Sequence, residues 1–366
     1  MRRRAVIRLA ITSLALVATA CGDSSTGPRI SGFLAGTPNN AEIALVINSV
    51  GKSLLMFQVG DPSQKRQLAL GTSSLVSPTG LSIAGTNALI PLGNAASIAL
   101  VDLEGLAVTR TFLFKQGNAT GSVFVNDTTG VVANFLGNYV GRIRLHQASD
   151  TVRDTVGVTA SPTAIAVAGS RILVLSSNLN TAGDYSPLGN SVVTALDVTT
   201  LAKLGTVQTG GRNAQDAAVG PDGKLYVVNT GDYFNPATLG IINPATLVLE
   251  TTIDNVGVGA GAIKIDANGI AYISSLFSGT VVYNTKTKTF IRGPVNPVCA
   301  GTPSSGCRGA FDATSSSTTG NLYQAFFGSP GQSLAPYIFV FTAGTFALKD
   351  SVSAGVGPTA IQLHVF

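Results

Sequence analysis

The chain has 366 residues, with 23 Lys and Arg against 18 Asp and Glu and only 2 His. Charged residues make up 11%, Gly reaches 42 and Trp is absent. Two histidines exclude a multi-histidine metal centre. Scarce charge with abundant Gly, Thr, Val and Ser, and no sustained 3.6-residue apolar period, excludes a helical protein in favour of strands joined by tight turns.

Residues 1–20 have the form of an export signal rather than part of the fold. Arg2, Arg3, Arg4 and Arg8 lead an apolar run from Leu9 to Ala18 that is interrupted only by Thr12 and Ser13. That run is too short to span a bilayer as a helix, and a small-residue site follows it. The site, Ala18-Thr19-Ala20-Cys21, resembles a bacterial lipobox, which implies lipid on Cys21 and cleavage just before it. The alternative is an ordinary signal peptide beside a chance cysteine. Residues 21–29 read as a flexible polar tether, and residues 30–366 as the folded domain. Without residues 1–20 the chain keeps 19 basic and 18 acidic residues, a net charge of +1. The basicity belongs to the signal and gives no reason to expect a nucleic-acid partner. The expected location is the bacterial cell envelope, with the membrane as a partner through the N-terminal lipid.

An internal repeat organises everything beyond the tether. Seven times an apolar strand, a short turn rich in Asp, Asn or Thr, and a second strand recur. Examples run from Leu54-Leu55-Met56-Phe57 with Arg66–Leu70, through Val192–Asp197 with Lys203–Val207, to Tyr337–Phe341 with Leu348–Val352. Two further strands precede each hairpin. The clearest pair is Asp216–Val219 and Leu225–Asn229, joined by Gly220-Pro221-Asp222-Gly223-Lys224, where Pro presets φ and Gly accepts a positive φ. Four antiparallel strands repeated in this way predict an all-β fold, a β-propeller of seven four-stranded blades.

Leu225-Tyr226-Val227-Val228-Asn229, with the Pro-Thr starts Ser161-Pro162-Thr163-Ala164-Ile165 and Gly357-Pro358-Thr359-Ala360-Ile361, resembles the YVTN-type β-propeller repeat. The resemblance covers residues 30–366, and residues 294–336 fit it least. It implies an extracytoplasmic propeller, and among similar proteins both unassigned surface proteins and lactonase-like enzymes. Residues 355–366 hold an innermost strand without partners, while residues 41–70 hold three strands without an innermost one. Together they predict a blade built from both chain ends, which closes the ring.

Few residues suggest chemistry. His146 and His364 each read as a structural residue on an alternating strand, and no Gly-x-Ser-x-Gly elbow precedes a helix. Neither a cofactor nor a metal is expected. Asp102, Asp197, Asn243 and Asn284 fall where third strands turn into fourth strands, so they read as turn formers. Asn134, Asn178 and Asn229, at the ends of second strands, read the same way. Cys299 and Cys307 form a pair in an oxidising compartment and are expected to be disulfide-bonded.

Four long insertions, residues 178–190, 229–238, 293–309 and 326–336, should all emerge on one face. Two share a motif, Gly183-Asp184-Tyr185-Ser186-Pro187 and Gly231-Asp232-Tyr233-Phe234-Asn235-Pro236. Asp184, Tyr185, Asp232, Tyr233, Phe234 and Phe327 are therefore the candidate binding residues, with tolerated surface duplication as the alternative. The expected role is a non-enzymatic binding or scaffold module for a protein or small ligand, against a hydrolytic enzyme using the central channel.

Overall fold

A computed structural model describes residues 41–301, 306–328 and 334–366. Cys21, the export segment and the tether lie outside them. The described residues form seven four-stranded antiparallel sheets in a ring and contain no helix. Blade 1 carries the closure. The C-terminal strand Pro358–Val365 lies innermost and pairs with Glu42–Asn48 in the register Glu42↔Val365 to Ile47↔Ala360. The strands Ser53–Gln58 and Asp61–Ala69 complete that blade. Blades 2 to 7 follow in chain order, each laid down from the channel outward.

Burial explains the residue pattern of each strand. Second and third strands are apolar on both faces because a blade packs against two neighbours. Along Glu42–Asn48, Ile43, Leu45 and Ile47 face blade 2, while Ala44 and Val46 face blade 7. The buried apolar side chains of the described residues form seven clusters, and each cluster joins two adjacent blades. Seven small cores in a closed circle replace one large core, as expected when each repeat packs only on its neighbours. Outermost strands are polar and exposed, as Asp61–Ala69 shows.

The turns behave as read. Asp102 Oδ1 accepts the Glu104 N–H at 3.0 Å, and Asp197 Oδ1 accepts those of Thr199 and Thr200. Asn243 accepts from Ala245 and Thr246, and Asn284 from Lys286 and Thr287. Of the second-strand asparagines, Asn134 forms its expected turn, its Oδ1 accepting the Gly137 N–H at 2.8 Å, while Asn229 needs a correction. Asn229 Nδ2 donates to the Thr209 carbonyl, and Asn134 Nδ2 donates to that of Gln116. Both therefore tether the connection arriving from the preceding blade. His146 also differs. It stands exposed in the turn after Tyr139–Arg144 rather than on a strand. His364 does lie on the closing strand, edge-on to Phe366 at 4.5 Å.

Candidate functional site

The innermost strands leave one edge of each sheet unpaired around the channel. At the end where these strands begin, a cavity of about 550 Å³ opens. Because antiparallel strands alternate direction, the loops between second and third strands and those between blades emerge at this same end. Its rim includes Ser49, Tyr233 and Leu276 from the first kind of loop and Phe311 from the second. The described parts of the four long insertions therefore emerge at this end, and Tyr233 of residues 229–238 lines the mouth itself.

Much of the wall is Thr, Ser, Gly and Ala, but three adjacent blades place charges in it. Asp216 comes from the innermost strand Ala214–Val219 of blade 5, Lys264 from Ala260–Ile265 of blade 6, and Asp312 from Asp312–Ser315 of blade 7. Each carboxylate bridges to the next blade's free edge. Asp216 Oδ2 accepts the Ile263 N–H at 3.0 Å, and Asp312 Oδ2 accepts the Ile361 N–H at 3.0 Å. The other oxygens accept the N–H groups of Ala217 and Ala313, both at 2.9 Å. The Lys264 ammonium lies 3.8 Å from Asp312 Oδ2. Asp312 is 5% accessible through its side chain, whereas Lys264 keeps 39% open to the channel.

Location sets the charge states. Burial pushes the Asp312 carboxyl up to about 6, and the charge of Asp216 adds to the rise against the pull of Lys264 and the Ile361 amide. Burial raises Asp216 as well, opposed by Lys264. The Lys264 ammonium is held above its ordinary range, chiefly by Asp312 and secondarily by Asp216. Lys264 is therefore a cation at neutral pH, and Asp312 is a carboxyl poised close to it. The trio offers donors and acceptors to a polar ligand inside a partly desolvated pit. Among the described residues, no group of three His, Cys, Asp or Glu could hold a metal ion.

The loop residues read from the sequence divide into two roles. Asp184 Oδ1 accepts the Ser186 N–H at 3.0 Å, and Asp232 accepts from the amides of Phe234 and Asn235, so both aspartates shape their own turns. Tyr185 and Tyr233 sit at φ 60° and 67°, a region uncommon for non-Gly residues. Tyr233 borders the channel mouth, whereas Phe234 projects outward at 87% exposure. Phe327 stacks on Phe311 with ring centroids 4.8 Å apart, at the rim. Cys299 and Cys307 are disulfide-bonded, with Cα atoms 5.4 Å apart.

The charged trio is absent from the motifs picked out in the sequence, although a signal exists. Aligning the innermost strands on the Pro-Thr-Ala start puts Asp216 and Asp312 at the position of Ala164, Ala262 and Ala360. Three of these five residues are the small residue of the repeat, and two are carboxylates. Lys264 replaces the residue two places further on, where blade 4 has Ala166 and blade 5 has Ala218.

No protein-family model matches the chain, and no curated protein matches it in sequence. Solved structures match it in shape. A protein of unknown function from Desulfotomaculum acetoxidans DSM 771 superposes with a TM-score of 0.66 at 16% identity, over 89% of this chain and 99% of its own. Hydrazine synthase from Kuenenia stuttgartiensis superposes with a TM-score of 0.62 at 12% identity, over 81% of this chain and 97% of that one. At such identities the likeness carries architecture and no activity. The chain is a seven-bladed β-propeller closed by its own C-terminal strand.

Proposed function

We propose that this protein is a cell-envelope lipoprotein, anchored through Cys21, whose propeller binds a small polar ligand at the channel mouth without transforming it. The observation that supports the reading best is the Asp216–Lys264–Asp312 trio, three charges gathered by successive blades in a wall otherwise rich in Thr, Ser, Gly and Ala. Asp216 and Asp312 also tie neighbouring strands together, but Lys264 keeps its ammonium open to the channel, where a polar ligand would meet it. A pit of about 550 Å³ suits a small molecule. Screening sugars, amino acids, polyamines and hydroxy acids by thermal shift should give a hit that Lys264→Met abolishes. A library in which every hit survives Lys264→Met and Asp312→Asn would contradict the channel as the site.

The hydrolytic reading has one observation in its favour, a carboxyl held at about 6 beside an ammonium, which suits a general acid. Turnover of a lactone panel that is lost in Asp312→Asn would establish it over pure binding. For the anchor, Cys21→Ser should release the protein from the membrane fraction or leave it unprocessed, since burying acyl chains contributes roughly 0.8 kcal/mol per CH₂. Unchanged membrane association would contradict lipidation.

A further inference from the structure

Beside the channel mouth, across Tyr233, lies a second concavity of about 460 Å³. The two loops that share the Gly-Asp-Tyr motif line it, together with exposed Arg212 and buried Asn213 of the connection into blade 5. Tyr185 and Tyr233 stand in it at 52% and 37% exposure, backed by Pro187 and Pro236. We propose that this groove is a second binding site, specific for a ring-bearing carboxylate with the chemistry of a uronic acid.

The free polar groups decide the ligand class. Asp232 has spent its acceptors on the Phe234 and Asn235 amides and on Asn235 Nδ2. Asn213 donates to the Gly231 carbonyl and accepts from Gln215. The Arg212 guanidinium, the Tyr185 and Tyr233 hydroxyls and Asn235 Oδ1 have no partner among the described residues. A guanidinium without a carboxylate calls for a planar oxyanion, which it grips with two parallel hydrogen bonds. Exposed tyrosine and proline surfaces call for a flat, partly apolar body. Phenol hydroxyls and an amide oxygen call for ligand hydroxyls. A sugar ring with a carboxylate supplies all three, and Tyr takes the stacking role that a missing Trp would otherwise fill.

The walls are also braced in advance, which limits the ordering cost of binding. Leu179 bridges Pro187 across one loop, and Pro236 bridges Val258 beside the other. The Gly231 N–H donates to the Arg212 carbonyl at 3.1 Å, which fixes the arginine to the loop it faces. Both tyrosines keep a left-handed backbone, φ 60° and 67°, that costs energy and holds their rings at the groove.

Calorimetry on the full-length protein in detergent tests the assignment with three probes: galacturonate, trigalacturonate and neutral galactotriose. One or both acidic sugars should bind at millimolar concentration or below, and galactotriose at least about tenfold more weakly. Saturation by the monomer identifies a free acidic sugar as the source, and binding by the trimer alone identifies an acidic polysaccharide. Arg212→Gln and Tyr185→Ala should each weaken binding by about tenfold or more with unchanged melting temperature, and Lys264→Met should leave it intact. The assignment is overturned if neither acidic sugar binds, if galactotriose binds equally well, or if binding survives Arg212→Gln. Loss in Lys264→Met alone would move the acidic sugar to the channel.

Discussion

At the scale of single residues, the channel charges make a prediction about pH with a definite sign. The folded Asp312 carboxyl lies at about 6, above its ordinary value of 3.8, because burial disfavours the carboxylate. As pH rises, the unfolded chain releases this proton first. The stability the group contributes is complete below about pH 4 and is lost as pH climbs through 6. The difference corresponds to roughly 2–3 kcal/mol. Asp216, also raised, acts in the same direction. Glu42 acts in the opposite one. Burial pushes its carboxyl up, but hydrogen bonds from Ser316, Thr318 and Ser317 outweigh burial and hold it below its ordinary range. Asp312→Asn isolates the first contribution. Between pH 5 and 7.5 the urea midpoint should fall further in the wild type than in the variant. Parallel midpoints would show that Asp312 titrates normally.

At the scale of elements, Glu42 shows how one side chain joins two blades. It begins the second strand of blade 1, and its oxygens accept from Ser316 Oγ at 2.5 Å, Ser317 N at 2.8 Å and Thr318 Oγ1 at 2.6 Å in blade 7. Glu42→Gln keeps the volume and loses the charge that makes these bonds strong, so it should cost about 1–3 kcal/mol in chemical denaturation. A change below about 0.5 kcal/mol, the range of ordinary surface substitutions, would mean the contact adds nothing. Elements of this kind differ in how legible they are in sequence. The apolar second and third strands are plain, because a blade buried on both faces needs continuous apolar runs. Innermost strands are quieter, since their small residues, such as Ala262 and Ala360, record only crowding at the channel. Asp216, Lys264 and Asp312 are hidden for the same reason: the signal is a departure from a repeat, visible only once the register of neighbouring strands is known. Asp312 was further obscured by residues 294–336, where a long insertion delays the start of blade 7. Asn134 makes its local turn with Gly137, but its second contact, with Gln116 18 residues back, and that of Asn229 with Thr209, 20 residues back, lie beyond the reach of local turn rules.

At the scale of the whole molecule, the ring is what brings the site together. Asp312 anchors on the Ile361 amide, a residue of the closing strand, so channel charge and ring closure share a hydrogen bond. Closure also buries the edges that blades 1 and 7 would otherwise expose to aggregation. Removing residues 355–366 strips blade 1 of its innermost strand and Asp312 of its partner, whereas residues 22–28, which the sequence reads as a tether, lie outside the described residues. Thermal melts of these two truncations, both made without residues 1–20, compare the two ends of the chain directly. The closed-ring account predicts that the C-terminal truncation unfolds or aggregates, and that the N-terminal one melts like the intact domain. A C-terminal truncation that melts cooperatively at the intact domain's temperature would contradict it.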